Sequence, residues 1–585
     1  MRKLLFLMFG ALVFSCQNTE KKLAESSSGT AAMYYNGDII TMVGDSAEYA
    51  EAVVVKDGKI LFVGAKEEAM KQAGEGHQMV DLQGKTMVPG FIDAHGHFVY
   101  YGRNQLDADL AGVKNIPELI NRMKEHIKNV SEGAWVVGMG YNPLLMEEKR
   151  HPTAEELDQI SPGRPIMVVH TSGHGGSMNT ALMKLVKIDA STKDPEGGEY
   201  LRKPGSKDIL GPMEETALIA VRNQRPKAGP EEMKKIIEYA SRSWLKSGQT
   251  TAMECGMGLG ADDIDIVRFA IDNKLLALDL VVFAKESETD NLINAAYSVG
   301  QAYTDKPGKD GAVALLEARP DMDKRYANHV RLGGIKFWLD GNPVTAWMSQ
   351  DYHTPPPGRG KHYRGYSQIP DSVLHAFFDK YWKTNMQINM HVLGDAASEQ
   401  ALRIIENIIN KQGMSDHRPV FVHAGYLRED QIKRIKQVGG IPTYLSASFY
   451  TGADINEPLW GKERAANANA AKSVLNNGGI FTISHDAPIT APELLPGVWT
   501  AVTRKALSGR IVGEHQRVTP FQAMKSITAW AAYQIKEEKT KGTLEAGKLA
   551  DLVILDKNPL KVDADSIQNI VIVETIKEGK TVYKK

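Results

Sequence analysis

The chain has 585 residues, 42% hydrophobic and 24% charged, with 70 Lys and Arg against 71 Asp and Glu for a net charge of −1. That balance excludes a disordered chain, a collagen-like repeat and a coiled-coil rod, leaves no basic footprint for nucleic acid, and with only Cys16 and Cys255 rules out a disulfide scaffold. At about 150 residues per domain the length suggests roughly four units, although an α/β barrel exceeds that size as one unit.

The chain begins with basic Met1-Arg2-Lys3, eleven apolar residues from Leu4 to Phe14, and then Ser15-Cys16. Such a run is too short to cross a bilayer and reads as a secretory signal over residues 1–15. Val13-Phe14-Ser15-Cys16 resembles a bacterial lipobox, which makes Cys16 the expected lipidation site and residues 16–30 a polar, flexible tether. The expectation is a protein of the cell envelope, lipid-anchored to a bacterial membrane at its periplasmic or outer-membrane face.

Short strands follow at Ile39 to Val43, at Ala52 to Gly64 around an Asp57-Gly58 turn, and at Met79 to Leu82. The far end repeats this pattern at Leu549 to Leu555, Ile570 to Thr575 and Glu578 to Tyr583. Strands from both termini can satisfy each other's edges, so residues 31–88 and 541–585 are expected to form one composite β-sandwich.

Between them, residues 89–540 alternate short apolar runs with helical stretches, the pattern of βα units around a parallel sheet. Candidate strands begin at Gly90, Thr250, Leu278, Gly334, Gln387, Pro419, Ile441 and Ile480, predicting a TIM-type (β/α)8 barrel with an insertion over about 100–235. Active sites of such barrels lie at the carboxyl ends of the strands. There the first run ends in His95-Gly96-His97, the fourth holds Lys336, the fifth ends in His391, the sixth in His423, and Asp486 follows the eighth.

Residues i and i+2 of a strand point the same way, so His95 and His97 can grip one ion. Imidazoles with a carboxylate suit zinc and its borderline neighbours. With 16 histidines in the chain one His-x-His pair arises easily by chance. Four histidines and an aspartate at the correct ends of separate strands do not. Lys336 allows two readings. An ammonium beside a divalent cation is repelled and desolvated, which favours a neutral amine able to take up carbon dioxide as a carbamate. An ordinary lysine would instead pair with Asp340 or Glu254.

These residues resemble the amidohydrolase superfamily of metal-dependent hydrolases, and its third-type branch that includes N-substituted formamide deformylases. The resemblance rests on Pro89 to His97, Lys336 with Asp340-Gly341, His391 to Ala397, His423-Ala424-Gly425, Ser484 to Pro488, and Lys541 to Leu552. It implies one or two divalent ions, zinc foremost, held by His95, His97, His391, His423 and Asp486, with Lys336 carbamylated where two are bound. It also implies that His174, within the insertion, faces the active site. Thr171-Ser172 before Gly173 and His485 before Asp486 depart from the branch and are expected to line the pocket.

On this reading Asp486 carries the proton from the attacking water to the leaving nitrogen, and His423 or His174 donates to the oxyanion. Tyr141, Trp338 and Tyr444 join His174 as candidate substrate-binding residues. Cys255 reads as a small buried hydrophobe rather than a nucleophile. The expected activity is hydrolysis of a small-molecule amide, N-substituted formamide or cyclic amide. The same ligand set also serves a deaminase or a carbon–oxygen hydrolase, and a lipid-anchored binding protein without chemistry is the reading from another class. A homo-oligomer is left open.

Overall fold

The computed structural model describes residues 29–292, 326–356 and 358–585. The expected signal and Cys16 lie outside the described residues. Among the described residues no helix is long and apolar enough to cross a membrane.

Eight parallel strands form the central sheet: β1 (Phe91–Ile92), β2 (Gln249–Met257), β3 (Asp279–Lys285), β4 (Val330–Trp338), β5 (Gln387–Val392), β6 (Val420–His423), β7 (Ile441–Tyr444) and β8 (Thr482–Ile483). Each pairs with its successor. The ends meet where the Asp486 N–H donates to the His95 carbonyl at 3.1 Å and the His97 N–H to the Ala487 carbonyl at 3.0 Å, so the sheet curls into a barrel. Helices cover its outside, which buries each strand on both faces and explains why β2 is buried at every position. One such helix, Pro230–Lys246, starts with Pro and two glutamates and turns Ile236, Ile237, Ala240 and Trp244 inward.

Between β1 and β2 the chain builds a second, six-stranded sheet. Its order is 198–202, 209–215, 175–178, 166–170, 136–141 and 108–109, and apolar clusters around Leu119 and around Leu218 pack on it. Sequence reading marked this region as an insertion without foreseeing the sheet. Strands of two to seven residues are too short to display a period of their own.

Strands from both termini share a third sheet, joined where Thr86–Pro89 pairs antiparallel with Leu552–Leu555. The Asp57-Gly58 hairpin turn has φ of 49° and 77°, the left-handed pair that suits strand twist. Tyr34, Val53, Ile60, Leu552, Ile554 and Ile576 form the core of this unit. Thr86–Pro89 runs directly into β1 through Gly90, where a Cβ would lie 2.3 Å from Thr250 Oγ1 on β2. Close strand contact therefore requires glycine there, and the terminal sheet anchors the strand that carries the first two histidines.

Candidate metal centre

Register sets His391 and His423 within one residue of each other in height, with Lys336 two residues deeper in the barrel than His391. Trp338 lies beside His391 and Lys336 beside Asn389 on β4 and β5, while Val392 lies beside His423. Just beyond β1, the Nε2 atoms of His95 and His97 stand 3.5 and 3.3 Å from Asp486 Oδ1. His423 Nε2 is 3.6 Å from Asp486 Oδ2, and the His391 ring centre is 4.5 Å from that of His423. Lys336 Nζ lies 3.0 Å from His95 Nε2 and 5.1 Å from the Trp338 ring centre. His423 and Asp486 hold left-handed backbone, φ 68° and 50°, a strained state for side-chain-bearing residues that concentrates at functional sites.

The donors fit a divalent cation. One ligand atom each from His95, His97 and Asp486 lies within 4.8 Å of the others. Separations of 3.3 and 3.5 Å match the edge of a tetrahedron whose bonds are about 2.1 Å. Among the described residues buried Asp486 Oδ1 receives no well-formed hydrogen bond, its nearest groups being the His95 and His97 Nε2 atoms, and a cation between them would complete the arrangement. Burial, reinforced by Lys336 and neighbouring histidines, holds His95, His391 and His423 well below the ordinary histidine range, leaving neutral rings with lone pairs. His391 donates its Nε2 proton to the Gly341 carbonyl at 3.1 Å, which frees Nδ1. His97 is the exception. Burial opposes its charge, but Asp486 and Glu254 outweigh it and push the ring up to about 9, so positive charge is drawn to the place a cation would occupy.

Neither carboxylate suggested as a partner for Lys336 serves as one. Asp340 accepts three backbone N–H bonds, from Leu393 and Gly394 at 2.8 Å and Trp347 at 3.0 Å, tying the loop after β4 to the end of β5. Glu254 accepts from the Val99 N–H at 2.7 Å and lies 3.7 Å from His97 Nδ1. Burial lowers the Lys336 ammonium to about 8, as the desolvation argument from sequence expected.

Other expected site residues are placed as follows. His174 precedes the strand at 175–178, and its Nδ1 is 2.8 Å from Glu215 Oε2 on the adjoining strand. Burial disfavours the imidazolium, yet the Glu215 hydrogen bond and charge raise the ring above its ordinary value, with Asp486 adding to the effect. Glu215 was missed by sequence reasoning. Its left-handed φ of 51° is held where its own N–H donates to the His174 carbonyl at 2.8 Å. Trp338 stands at the barrel mouth over Lys336. Tyr141 is fully buried in the insertion, its hydroxyl 2.5 Å from His151 Nδ1.

Two placements correct the sequence reading. Alternation along β7 turns Thr443 inward to Gln534 and sends Tyr444 outward, where its ring packs 5.8 Å from Phe481 rather than in a substrate cleft. His485 likewise faces away from the pocket. It is wholly buried 5.1 Å from the Trp244 ring centre, accepts the Ala487 N–H on Nδ1 and so carries its proton on Nε2, facing Gln249 and Asp93. Asp93 in turn accepts the His95 N–H at 3.1 Å, so His485 braces the His95 strand end from outside. Ser172 is spent on its own turn, 2.6 Å from His170 Nδ1 while accepting the His174 N–H. Cys255 is buried among apolar side chains, which pushes its thiol up and leaves it inert.

Comparison with known proteins agrees with this geometry. The profile of the amidohydrolase family matches residues 78–583. The chain is 25% identical over 548 residues to the N-substituted formamide deformylase of Arthrobacter pascens, covering 92% of this chain and 95% of that one. It is also 25% identical over 556 residues to Protein LONG AFTER FAR-RED 3 of Arabidopsis thaliana, covering 94% and 91%. Its fold matches the crystal structure of an uncharacterized metal-dependent hydrolase from Pyrococcus horikoshii with a TM-score of 0.71 at 22% identity, over 94% of this chain and 100% of that one. A curled parallel barrel, imidazole and carboxylate donors converging at its carboxyl end, and a profile match over most of the length together show that the chain belongs to the amidohydrolase family of metal-dependent hydrolases.

Proposed function

We propose that the protein hydrolyses a non-peptide carbon–nitrogen bond in a small-molecule amide, N-substituted formamide or cyclic amide. The observation that carries this reading is the buried Asp486 Oδ1, which faces two histidine Nε2 atoms at 3.3 and 3.5 Å and among the described residues receives no well-formed hydrogen bond. One or two divalent ions, zinc foremost, held by His95, His97, His391, His423 and Asp486, would supply Lewis acidity and lower the pKa of water from about 15.7 towards about 7. Asp486 takes the proton from the attacking water and delivers it to the leaving nitrogen, as its carboxylate is the basic group nearest both histidines of the first strand.

Of the two oxyanion donors considered, His174 fits better. Its pairing with Glu215 favours an imidazolium with a proton to share, whereas burial keeps His423 neutral. Lys336, with its ammonium lowered to about 8, has a larger neutral fraction than a surface lysine, which supports a carbamate in a two-ion form. Trp338 forms part of the substrate wall at the mouth. Stripping the protein of metal and restoring zinc, manganese or cobalt should abolish and then restore turnover on a panel of amides and formamides. Failure of every metal on every amide would refute the reading.

The same proposal places the enzyme in the cell envelope, attached through a lipid on Cys16. Wild-type protein should then take up a fatty-acid label and sediment with membranes, and Cys16→Ala should do neither. A labelled Cys16→Ala chain would remove the anchor.

A further inference from the structure

Where the insertion meets the barrel, beside the centre, lies a narrow cavity of about 40 Å³. Tyr100 enters it from helix Phe98–Asn104, which starts next to His97. Leu259 forms another part of its wall and packs against Gly256, whose missing Cβ would also touch His97 Nδ1 at 3.1 Å. The Leu259 side chain therefore stands between the cavity and the His97 side of the ligand cluster.

Two ion pairs in its wall are complete, and the remaining carboxylate, Asp263, accepts the Gly260 N–H at 2.7 Å and is pushed by burial up to about 7, towards its neutral form. Arg103 meets Asp262 at 2.5 Å, and Arg225 binds Asp107 through two contacts of 2.9 and 3.0 Å. The third arginine is different. Among the described residues Arg222 has no carboxylate partner, and its guanidinium lies 4.4 Å over the Tyr100 ring. Stacking of this kind holds the guanidinium flat while leaving its edge N–H groups free to donate. Among the described residues the Tyr100 hydroxyl is itself buried without a hydrogen-bond partner, and a Cβ on Gly173, next to His174, would sit 3.6 Å from it. A planar cation and an unsatisfied hydroxyl lining one small space suit an anion with two oxygens. One water needs about 10–15 Å³ of such space, so the cavity admits a group of a few heavy atoms and not a large ring.

We propose that Arg222 and Tyr100 bind a carboxylate of the substrate, so that the amide hydrolysed is an anionic one of the N-acyl or N-formyl amino-acid class. This rests on the amide-hydrolase reading and narrows it. His174 would then lie between the carboxylate pocket and the ligand cluster, and one short substrate could bridge the two.

The test uses zinc-loaded full-length enzyme and paired substrates. Each N-formyl or N-acetyl amino acid is assayed beside the analogue in which hydrogen replaces its carboxyl group. The carboxylate member should be preferred at least tenfold in kcat/KM. Arg222→Gln should collapse that preference towards unity through loss on the carboxylate member, and Tyr100→Phe, which keeps the ring under Arg222, should lower it about threefold to tenfold. Equal turnover of paired members by the wild type, or a preference unchanged in both variants, would overturn the carboxylate pocket and leave the amide reading standing. Absence of turnover on every pair and on neutral amides alike would overturn both.

Discussion

The two ends of the barrel bury polar groups in opposite ways. At the amino end, Lys541 Nζ lies 2.6 Å from both Asp279 and Glu537, Lys577 Nζ lies 2.9 Å from Asp279 and 3.1 Å from Asp551, and Arg331 meets Glu537 at 2.5 Å. These are contacts between strands, the segment after the barrel and the terminal sheet, and every charge has a partner from the chain. At the carboxyl end, Asp486 Oδ1, His95 Nδ1 and Asn389 Oδ1 are buried without a hydrogen bond among the described residues. Buried charges are costly unless paired, so a network closed by the chain itself joins the units, whereas a network left open is built for something that arrives later.

The contrast predicts that damage at the open end removes activity and spares stability, and that damage at the closed end does the reverse. Asp486→Asn should lower kcat/KM by about 10³-fold, within the range for loss of a general base. The metal-free variant should melt within a few degrees of metal-free wild type, since what Asp486 loses is its ion pair with His97 at 3.3 Å, offset by relief from burying a carboxylate. A large fall in its melting temperature would break the comparison.

Lys541→Met should cost about 3 kcal/mol, because it takes one of the two cations from each of the buried Asp279 and Glu537, which keep Lys577 and Arg331. Kinetics below the melting range should stay near wild type. Burial opposes ionisation of these carboxylates, but the lysines and Arg331 overcome it, holding Asp279 far below the usual range and Glu537 at about 2. Their contribution is therefore fully present above the unfolded carboxylate pKa of about 4 and drains away as pH falls towards the folded values. Thermal melts from pH 6 to pH 3 should show a steeper loss for wild type than for Lys541→Met. Parallel curves would mean that the network does not act as a unit.

Glu215→Gln gives the smallest effect and sharpens the comparison most. It should reduce kcat about tenfold, as outer partners of active-site histidines commonly do. Because the Glu215 charge raises the His174 pKa, activity that needs protonated His174 falls as pH rises through that raised value. Removing the charge should move the alkaline limb of the pH profile to lower pH. An unshifted limb would take His174 out of the proton economy and leave it a positional role.

Much of the barrel was legible in the sequence because parallel strands buried on both faces must be continuous apolar runs, and all eight expected strands are present. His95, His97, Lys336, His391, His423 and Asp486 were legible for a related reason, since each interrupts or ends such a run with a group that pure packing would not choose. The insertion sheet was hidden by the brevity of its strands. Tyr444 and His485 misled because both adjoin inward-facing residues, Thr443 and Asp486, and one step along the chain reverses the side. Glu215 carried no signal: its partner His174 lies 41 positions away, and only the antiparallel pairing of 175–178 with 209–215 brings them together.

By itself, then, the sequence determined the period of the fold and the chemical identity of the ligands, because both are local properties of strands and strand ends. Which groups remain unsatisfied was decided only by the tertiary structure. The closing of β8 onto β1 aims Asp486 at the first two histidines, and the packing of the insertion against the barrel sets Arg222 over the Tyr100 ring with no carboxylate partner among the described residues. Satisfaction of a buried charge depends on neighbours far away in the chain, and no local pattern encodes it.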